Sequence, residues 1–194
     1  MSVPATRMSL AAFLDWEATQ PERHEYVRGE VFAMTGASDR HNLVAGNLYM
    51  LLRTHLRGSP CQVFISDMKV RVDAADAIFY PDLLVTCSAS DRSDRLAKRD
   101  PVVIVEVLSP STAGYDLSAK FAHYRRLASL QEYVTIDPDA PLVQVFRRSP
   151  DGWTLHAAEA GDTVGFASID LCVPIAAVYE DVRFEPPADG GSRA

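Results

Sequence analysis

At 194 residues the chain has the length of one domain with a small extension. With 47% hydrophobic and 23% charged residues, wholesale disorder is excluded and a sizeable core can form without staples. The net charge of −7 argues against binding nucleic acid through its backbone alone, but not against a metal centre, which is itself built from carboxylates.

The first predicted element is a short helix over residues 9–19, with Ser9 as N-cap, an apolar face of Leu10, Phe13, Leu14 and Trp16, and Pro21 beyond its end. Two short runs then flank Arg28-Gly29 and read as a β-hairpin. A longer helix is predicted over 41–57, where Leu43, Leu48, Leu51, Leu52 and Leu56 recur at steps of about three and four, and Gly58-Ser59-Pro60 stops it. Strands follow at 62–65 and 68–72. The runs 79–86 and 102–108 are nearly continuous apolar stretches, as in strands buried on both faces. The polar segment 88–100 between them reads as a loop. A helix over 116–130 presents Leu117, Phe121, Tyr124 and Leu127, and is placed for a right-handed crossover to a strand at 132–136. The runs 142–147 and 153–157 form a late hairpin around Ser149-Pro150-Asp151-Gly152, and one more short element lies near Ile169-Asp170-Leu171. The expected fold class is α+β (α/β) with a mixed sheet. A single domain is expected over 1–184, with a frayed tail over 185–194.

Cys61, Cys87 and Cys172 show no C-x-x-C spacing, so reduced thiols are expected, with neither a disulfide scaffold nor a cysteine zinc site. No run approaches the ~20 apolar residues that span a bilayer, and the apolar stretch at 10–14 lacks the flanks of a signal peptide. A soluble cytoplasmic protein without a membrane partner is the resulting expectation.

Phosphate-loop, dinucleotide-binding, nucleophile-elbow and H-E-x-x-H signatures are all missing. The histidines at 24, 41, 55, 123 and 156 show no tight ligand spacing and are read as ordinary surface or half-buried residues. What remains is a set of acids in apolar settings. Asp82 opens a run of aliphatic residues, and Glu106 lies inside Val102-Val103-Ile104-Val105-Glu106-Val107-Leu108. An ionised carboxylate there is costly to bury unless it is paired or binds a metal; otherwise it faces solvent at a strand end. The next helix carries Asp116, Lys120 and Tyr124 at i, i+4 and i+8, one face of a helix that folds back beside the strand end. An ordinary Asp116–Lys120 surface pair is the plainer alternative. Two carboxylates and a lysine at the end of a mixed sheet suit phosphodiester hydrolysis, with hard oxygen ligands for Mg²⁺ or Mn²⁺.

At these residues the chain resembles the Uma-type family of restriction-endonuclease-like proteins, within the PD-(D/E)xK nuclease superfamily. The resemblance runs from about residue 9 to 175 and rests on HEYVRGEVFAMTG (24–36), YPDLLVTC (80–87), the run 101–138 with its EVLSPST, and VQVFRR (143–148). It implies a restriction-endonuclease-like mixed sheet flanked by helices, and a divalent-metal-dependent endonuclease acting on nucleic acid, DNA foremost. Asp82 matches the Asp of the motif and Glu106 its second acid. The lysine expected two positions later is Leu108 here, and the resemblance points to Lys120 in its place. It also implies Mg²⁺ (or Mn²⁺) on Asp82 and Glu106 with the Val107 carbonyl. Asp116 and Tyr124 would support from the same helix face, with Glu25 as a further carboxylate. Ser109, Ser111 and Thr112 would either donate to a phosphate or cap the turn. Lys69, Arg71, Arg92, Arg95, Lys98 and Arg99 are candidates for a DNA groove. Cutting two strands suggests a homodimer. A catalytically inactive nuclease-fold module that binds nucleic acid or protein, and a hydrolase for another phosphoester, are the competing readings. An open basic cleft would favour DNA, and a closed pocket a small substrate.

Overall fold

The computed structural model describes residues 7–34, 36–109 and 113–184. The tail 185–194 and the pair Ser111 and Thr112 lie outside them. Helix α1 (Leu10–Glu17) is capped by Ser9, whose hydroxyl accepts from the Ala12 N–H at 3.2 Å. It buries Phe13 against Tyr26 and Ile78. Strands β1 (His24–Val27) and β2 (Glu30–Ala33) form the expected hairpin. Arg28 and Gly29 both take positive φ (50° and 94°), as a tight primed turn requires. Helix α2 (Asp39–His55) is capped by Ser38, which accepts from the His41 N–H at 3.2 Å. Its buried stripe is Val44, Ala45, Leu48 and Leu52; Leu43, read from the sequence as part of that face, points outward.

Strands β3 (Gln62–Ile65), β4 (Lys69–Val72), β5 (Ala77–Phe79) and β6 (Leu83–Thr86) follow. The single strand expected over 79–86 is thus two strands, and they belong to different sheets. Pro81 has no N–H to continue a ladder, so the chain leaves one sheet at Phe79 and enters the other at Leu83. Asp82 sits at that crossing.

The expected loop 88–100 contains helix α3 (Ala89–Ser93) and strand β7 (Ala97–Lys98). Asp91 organises it, accepting from the Thr86 hydroxyl at 2.7 Å and from the Arg99 and Asp100 N–H groups at 2.8 and 3.0 Å. The buried Lys98 ammonium donates to the Asp91 carbonyl at 2.6 Å and lies over the Phe64 ring.

Strand β8 (Pro101–Val107) leads into a helical stretch of α4 (Ala113–Tyr115), a π-helical turn (Asp116–Lys120) and α5 (Phe121–Tyr124). It ends six residues before the expected 130. Arg148 takes over the carbonyls beyond, donating to those of Arg125, Leu127 and Leu130 at 3.1, 2.7 and 2.6 Å. Strand β9 (Glu132–Asp137) then runs parallel to β8, as a crossover demands. The late hairpin is β10 (Leu142–Ser149) and β11 (Gly152–Ala158). Strands β12 (Thr163–Phe166) and β13 (Leu171–Pro174) form a two-stranded sheet, where one short element was expected, before α6 (Ile175–Val178).

The larger sheets have the orders β2-β1-β5-β4-β7 and β11-β10-β9-β8-β6-β3. In the second, β8 is covered on both faces: Val103, Val105 and Val107 share a core with α2, while Ile104 packs with Tyr124 and Leu127. Glu106 follows Ile104 by two and faces the same way.

The thiol expectation is corrected: Cys61 and Cys87 form a disulfide, while Cys172 is free and exposed. Gln62 pairs with Thr86 across β3 and β6, so the next residues outward face each other, a proximity that 26 positions of sequence conceal. The compartment argument built on reduced thiols falls with it. Among the described residues no helix is long and apolar enough to cross a membrane.

Candidate active site

A cleft of about 410 Å³ opens where the two sheets part, between the β1–β2 hairpin, the start of α2 and the π-helical turn. Glu106 is 4% exposed and Lys120 6%. The Lys120 ammonium lies 2.9 Å from Glu25 Oε1, 3.0 Å from Glu106 Oε1 and 3.6 Å from Asp116 Oδ1. The Tyr124 hydroxyl donates to the same Glu106 oxygen at 2.9 Å. One wall is held by backbone groups: the Tyr80 N–H donates to Glu25 Oε1 at 3.3 Å, and the Val107 N–H to Asp82 Oδ2 at 2.7 Å.

Asp82, Glu106, Lys120, Asp116 and Glu25 therefore line one cleft, with Tyr124 behind it. Glu25 is not the exposed hairpin glutamate its position suggests; its side chain is 12% exposed and ion-paired. Ser109 also lines the cleft. The basic loop residues behave differently. Lys98 is buried, Arg71 and Arg99 pair with Asp73, and Arg92 donates to the Pro60 carbonyl. Lys69 lies over the Tyr80 ring. Arg95 alone of them stays exposed with neither an ion pair nor a side-chain hydrogen bond among the described residues, and one arginine does not make a basic groove along that loop.

His41 was not singled out in the sequence. Its Nε2 is 3.3 Å from Asp82 Oδ2, and the Val107 backbone is near enough to favour its charged form. Its Nδ1 is buried without a partner among the described residues. The only local signal was its place in the first turn after a Ser cap, which marks a helix start and not a site. Glu17 is likewise buried, accepting from the Tyr80 hydroxyl at 2.8 Å and the His24 N–H at 3.0 Å.

The electrostatics follow from crowding. Five carboxylates (Glu25, Asp67, Asp82, Glu106 and Asp116) line the cleft against Lys120 and His41. Burial pushes Glu106 well above the usual carboxylate range; Lys120 opposes this, and Asp82, Asp116 and Glu25 add to it. Burial also works against the Lys120 charge, but Glu106, Glu25 and Asp116 outweigh it and hold the ammonium protonated. His41 is raised: desolvation lowers it, and its bond and charge interaction with Asp82 more than reverse that. Excess negative charge in a half-buried cleft favours a cation. The donor set, carboxylates and a carbonyl, is that of a hard divalent ion. Among the described residues no three carboxylate, histidine or cysteine side chains are gathered to hold an ion unaided. Asp82, Glu106 and Val107 line the same cleft, and oxygen donors of this kind suit an ion that keeps several waters or substrate oxygens.

Comparison with known proteins agrees with this architecture. The crystal structure of a "putative nuclease belonging to DUF820" from Anabaena variabilis ATCC 29413 superposes with a TM-score of 0.73 at 18% identity, covering 89% of this chain and 97% of its own. The restriction-endonuclease-like mixed α+β fold is thus shared. The uncharacterized protein slr1290 of Synechocystis sp. (strain PCC 6803) is 33% identical over 184 residues, which is 94% of this chain and 97% of the relative. The uncharacterized protein sll1609 of the same organism is 34% identical over 154 residues, 78% and 87% of the two chains. The profile of the Uma2 family, described as "Putative restriction endonuclease", matches residues 10–170, so this chain belongs to the Uma2 family.

Proposed function

We propose that the protein is a divalent-metal-dependent nuclease hydrolysing phosphodiester bonds in nucleic acid. The observation that carries the reading is the Lys120 ammonium 3.0 Å from Glu106, supplied by the helical turn after the strand in place of a lysine at position 108. Asp82 and Glu106, with the Val107 carbonyl, would hold Mg²⁺ or Mn²⁺. When bound, the ion supplies Lewis-acid polarisation of the phosphate and a more acidic water.

The residues around it divide the remaining work. Lys120 carries a permanent charge toward the attacked phosphate and orients the incoming water. Glu25 and Asp116 hold that ammonium in place. Tyr124 fixes the Glu106 carboxylate by its hydroxyl. His41 and the Val107 N–H set the rotamer of Asp82, an orientation that ligand carboxylates generally need. Ser109 lines the same cleft and would donate to a phosphate oxygen.

Calorimetric titration of Mg²⁺ and Mn²⁺ into wild type, Asp82→Ala and Glu106→Ala tests the reading. Binding in the wild type that both variants lose, with cleavage of DNA or RNA that Glu106→Gln abolishes, is expected. Normal turnover by Glu106→Gln would end the assignment. Oligonucleotide binding without metal binding or turnover would instead make the chain a non-catalytic module. The net charge of −7 and the occupied basic loop favour that second reading.

A further inference from the structure

Beside the carboxylates, part of the cleft lining is apolar and exposed. Phe32 is 46% exposed and Met34 39%, although both are large hydrophobic residues, and Tyr115 is 38% exposed. All three line the cleft. The hairpin register explains the placement: Phe32 pairs directly with Glu25, so the ring and the carboxylate that holds Lys120 stand side by side on one face. Met34 follows Phe32 by two and continues that face. Tyr115 precedes Asp116; burial raises its hydroxyl pKa first, and the Glu25 charge adds to it, as proximity to that carboxylate requires. Among the described residues neither the Phe32 nor the Tyr115 ring packs against another aromatic ring, whereas Phe13, Phe79, Phe121, Tyr124 and Tyr133 all do.

Two unstacked aromatic rings beside a phosphodiester-cleaving centre match the chemistry of a nucleobase, which offers a flat π-face whatever its identity. The volume fits as well. About 410 Å³ is at the lower end of small-ligand sites and suits one nucleotide. A duplex docks instead over roughly 1,000–2,500 Å² of strongly basic surface, and here Arg71, Arg92, Arg99 and Lys98 are already engaged within the chain, with Arg95 exposed beside them. We infer that Phe32, Met34 and Tyr115 receive one unpaired nucleobase, so that the substrate is a single strand or loop and not an intact duplex. This rests on the nuclease reading above and narrows its substrate.

The test measures fluorescence anisotropy of a labelled 12-nucleotide strand, as DNA and as RNA, and of the corresponding blunt duplex. The proteins are the full chain as Glu106→Gln, and Glu106→Gln combined with Phe32→Ala, Phe32→Leu or Phe32→Trp, all with Mg²⁺. Leu155→Ala, at an exposed position on β11, is the control. The expected result is tighter binding of the strand than of the duplex. Phe32→Ala and Phe32→Leu should weaken strand binding about five- to 150-fold, from stacking energies measured by alanine substitution. Phe32→Trp restores it and Leu155→Ala changes nothing. Equal affinity for strand and duplex, or strand binding indifferent to Phe32→Leu, overturns the inference while leaving the nuclease reading intact. No binding and no wild-type cleavage of strand or duplex with Mg²⁺ or Mn²⁺ overturns both.

Discussion

Replacing Lys120 by Met removes one charge and strands three. The ammonium is 2.9, 3.0 and 3.6 Å from carboxylates of Glu25, Glu106 and Asp116 whose side chains are at most 12% exposed. At an effective dielectric of about 20, each contact near 3 Å is a Coulomb term of about 5 kcal/mol, much of it offset by the desolvation already spent. Breaking a buried pair by deleting one partner costs about 3–5 kcal/mol. For a chain of this size each kcal/mol shifts Tm by about 2–4 °C, so Lys120→Met should melt about 6–20 °C below wild type near neutral pH. The deficit should shrink on acidification, because the stranded, buried Glu106 takes up a proton. The wild-type contribution of Lys120 does not vary over that range. Its pKa is raised above the ordinary 10.5, so its stabilisation is complete below that value and is lost only in strong alkali. Circular-dichroism melting at about pH 5 and about pH 7.5 reads both effects. A Tm within about 2 °C of wild type at both pH values would mean that Lys120 is not the counter-ion of this cluster.

Glu106→Gln reads the same cluster from the acid side. The folded chain holds the Glu106 proton more tightly than the unfolded chain, so its contribution is complete below the ordinary 4.5 and lost as pH rises through the folded value. Glu106→Gln, with Lys120 still paired to Glu25 and Asp116, should therefore melt higher than wild type at about pH 8, and the gain should vanish near pH 4. A pH-independent difference would remove Glu106 as the strained carboxylate. Separately, reduction of Cys61–Cys87, or Cys61→Ser, opens a link spanning 26 residues and should cost about 3–4 kcal/mol in the loop-entropy picture. Chemical denaturation with and without reductant checks it, and an unchanged midpoint would mean that the link adds nothing.

The parts legible in the sequence are those whose signal is local. Strand β8 announces itself as an aliphatic run, and a lone Glu106 within it is anomalous enough to mark a site. Asp116, Lys120 and Tyr124 share a helical face by spacing alone, and Arg28-Gly29 needs only turn chemistry. What was missed depends on distant partners. Apolar residues flank Pro81-Asp82 on both sides within 79–86 and hide the change of sheet that Pro81 imposes. Leu43 fits a leucine periodicity, but the sheet beneath α2 selects the Val44–Leu48–Leu52 stripe. The end of the 113–124 helix is decided by Arg148, more than twenty residues downstream. His41 looks ordinary because its meaning lies in Asp82 and Val107, which reach it only through the folded sheet.

The charge of the cleft sets an order on its ligands. A phosphodiester is anionic, and the walls it meets carry five carboxylates against Lys120 and His41. Chain-wide charge is also negative, at −7, so no long-range field draws a polyanion in. Stacking on Phe32 is worth about 1–3 kcal/mol per base and does not by itself overcome repulsion at close range. Strand binding by the wild type should therefore require a divalent cation, and not merely cleavage, whereas Glu106→Gln, with one carboxylate fewer, should depend on it less. With EDTA the wild type should lose affinity for the 12-nucleotide strand, and added Mg²⁺ or Mn²⁺ should restore it. Glu106→Gln, which deletes one of the repelling charges, should bind more tightly than wild type in EDTA. Affinity should vary only weakly with monovalent salt, since few basic side chains contact phosphates. If the wild type binds the strand as tightly in EDTA as in Mg²⁺, the acidic cluster does not face the phosphate, and the carboxylates of this cleft serve some other ligand.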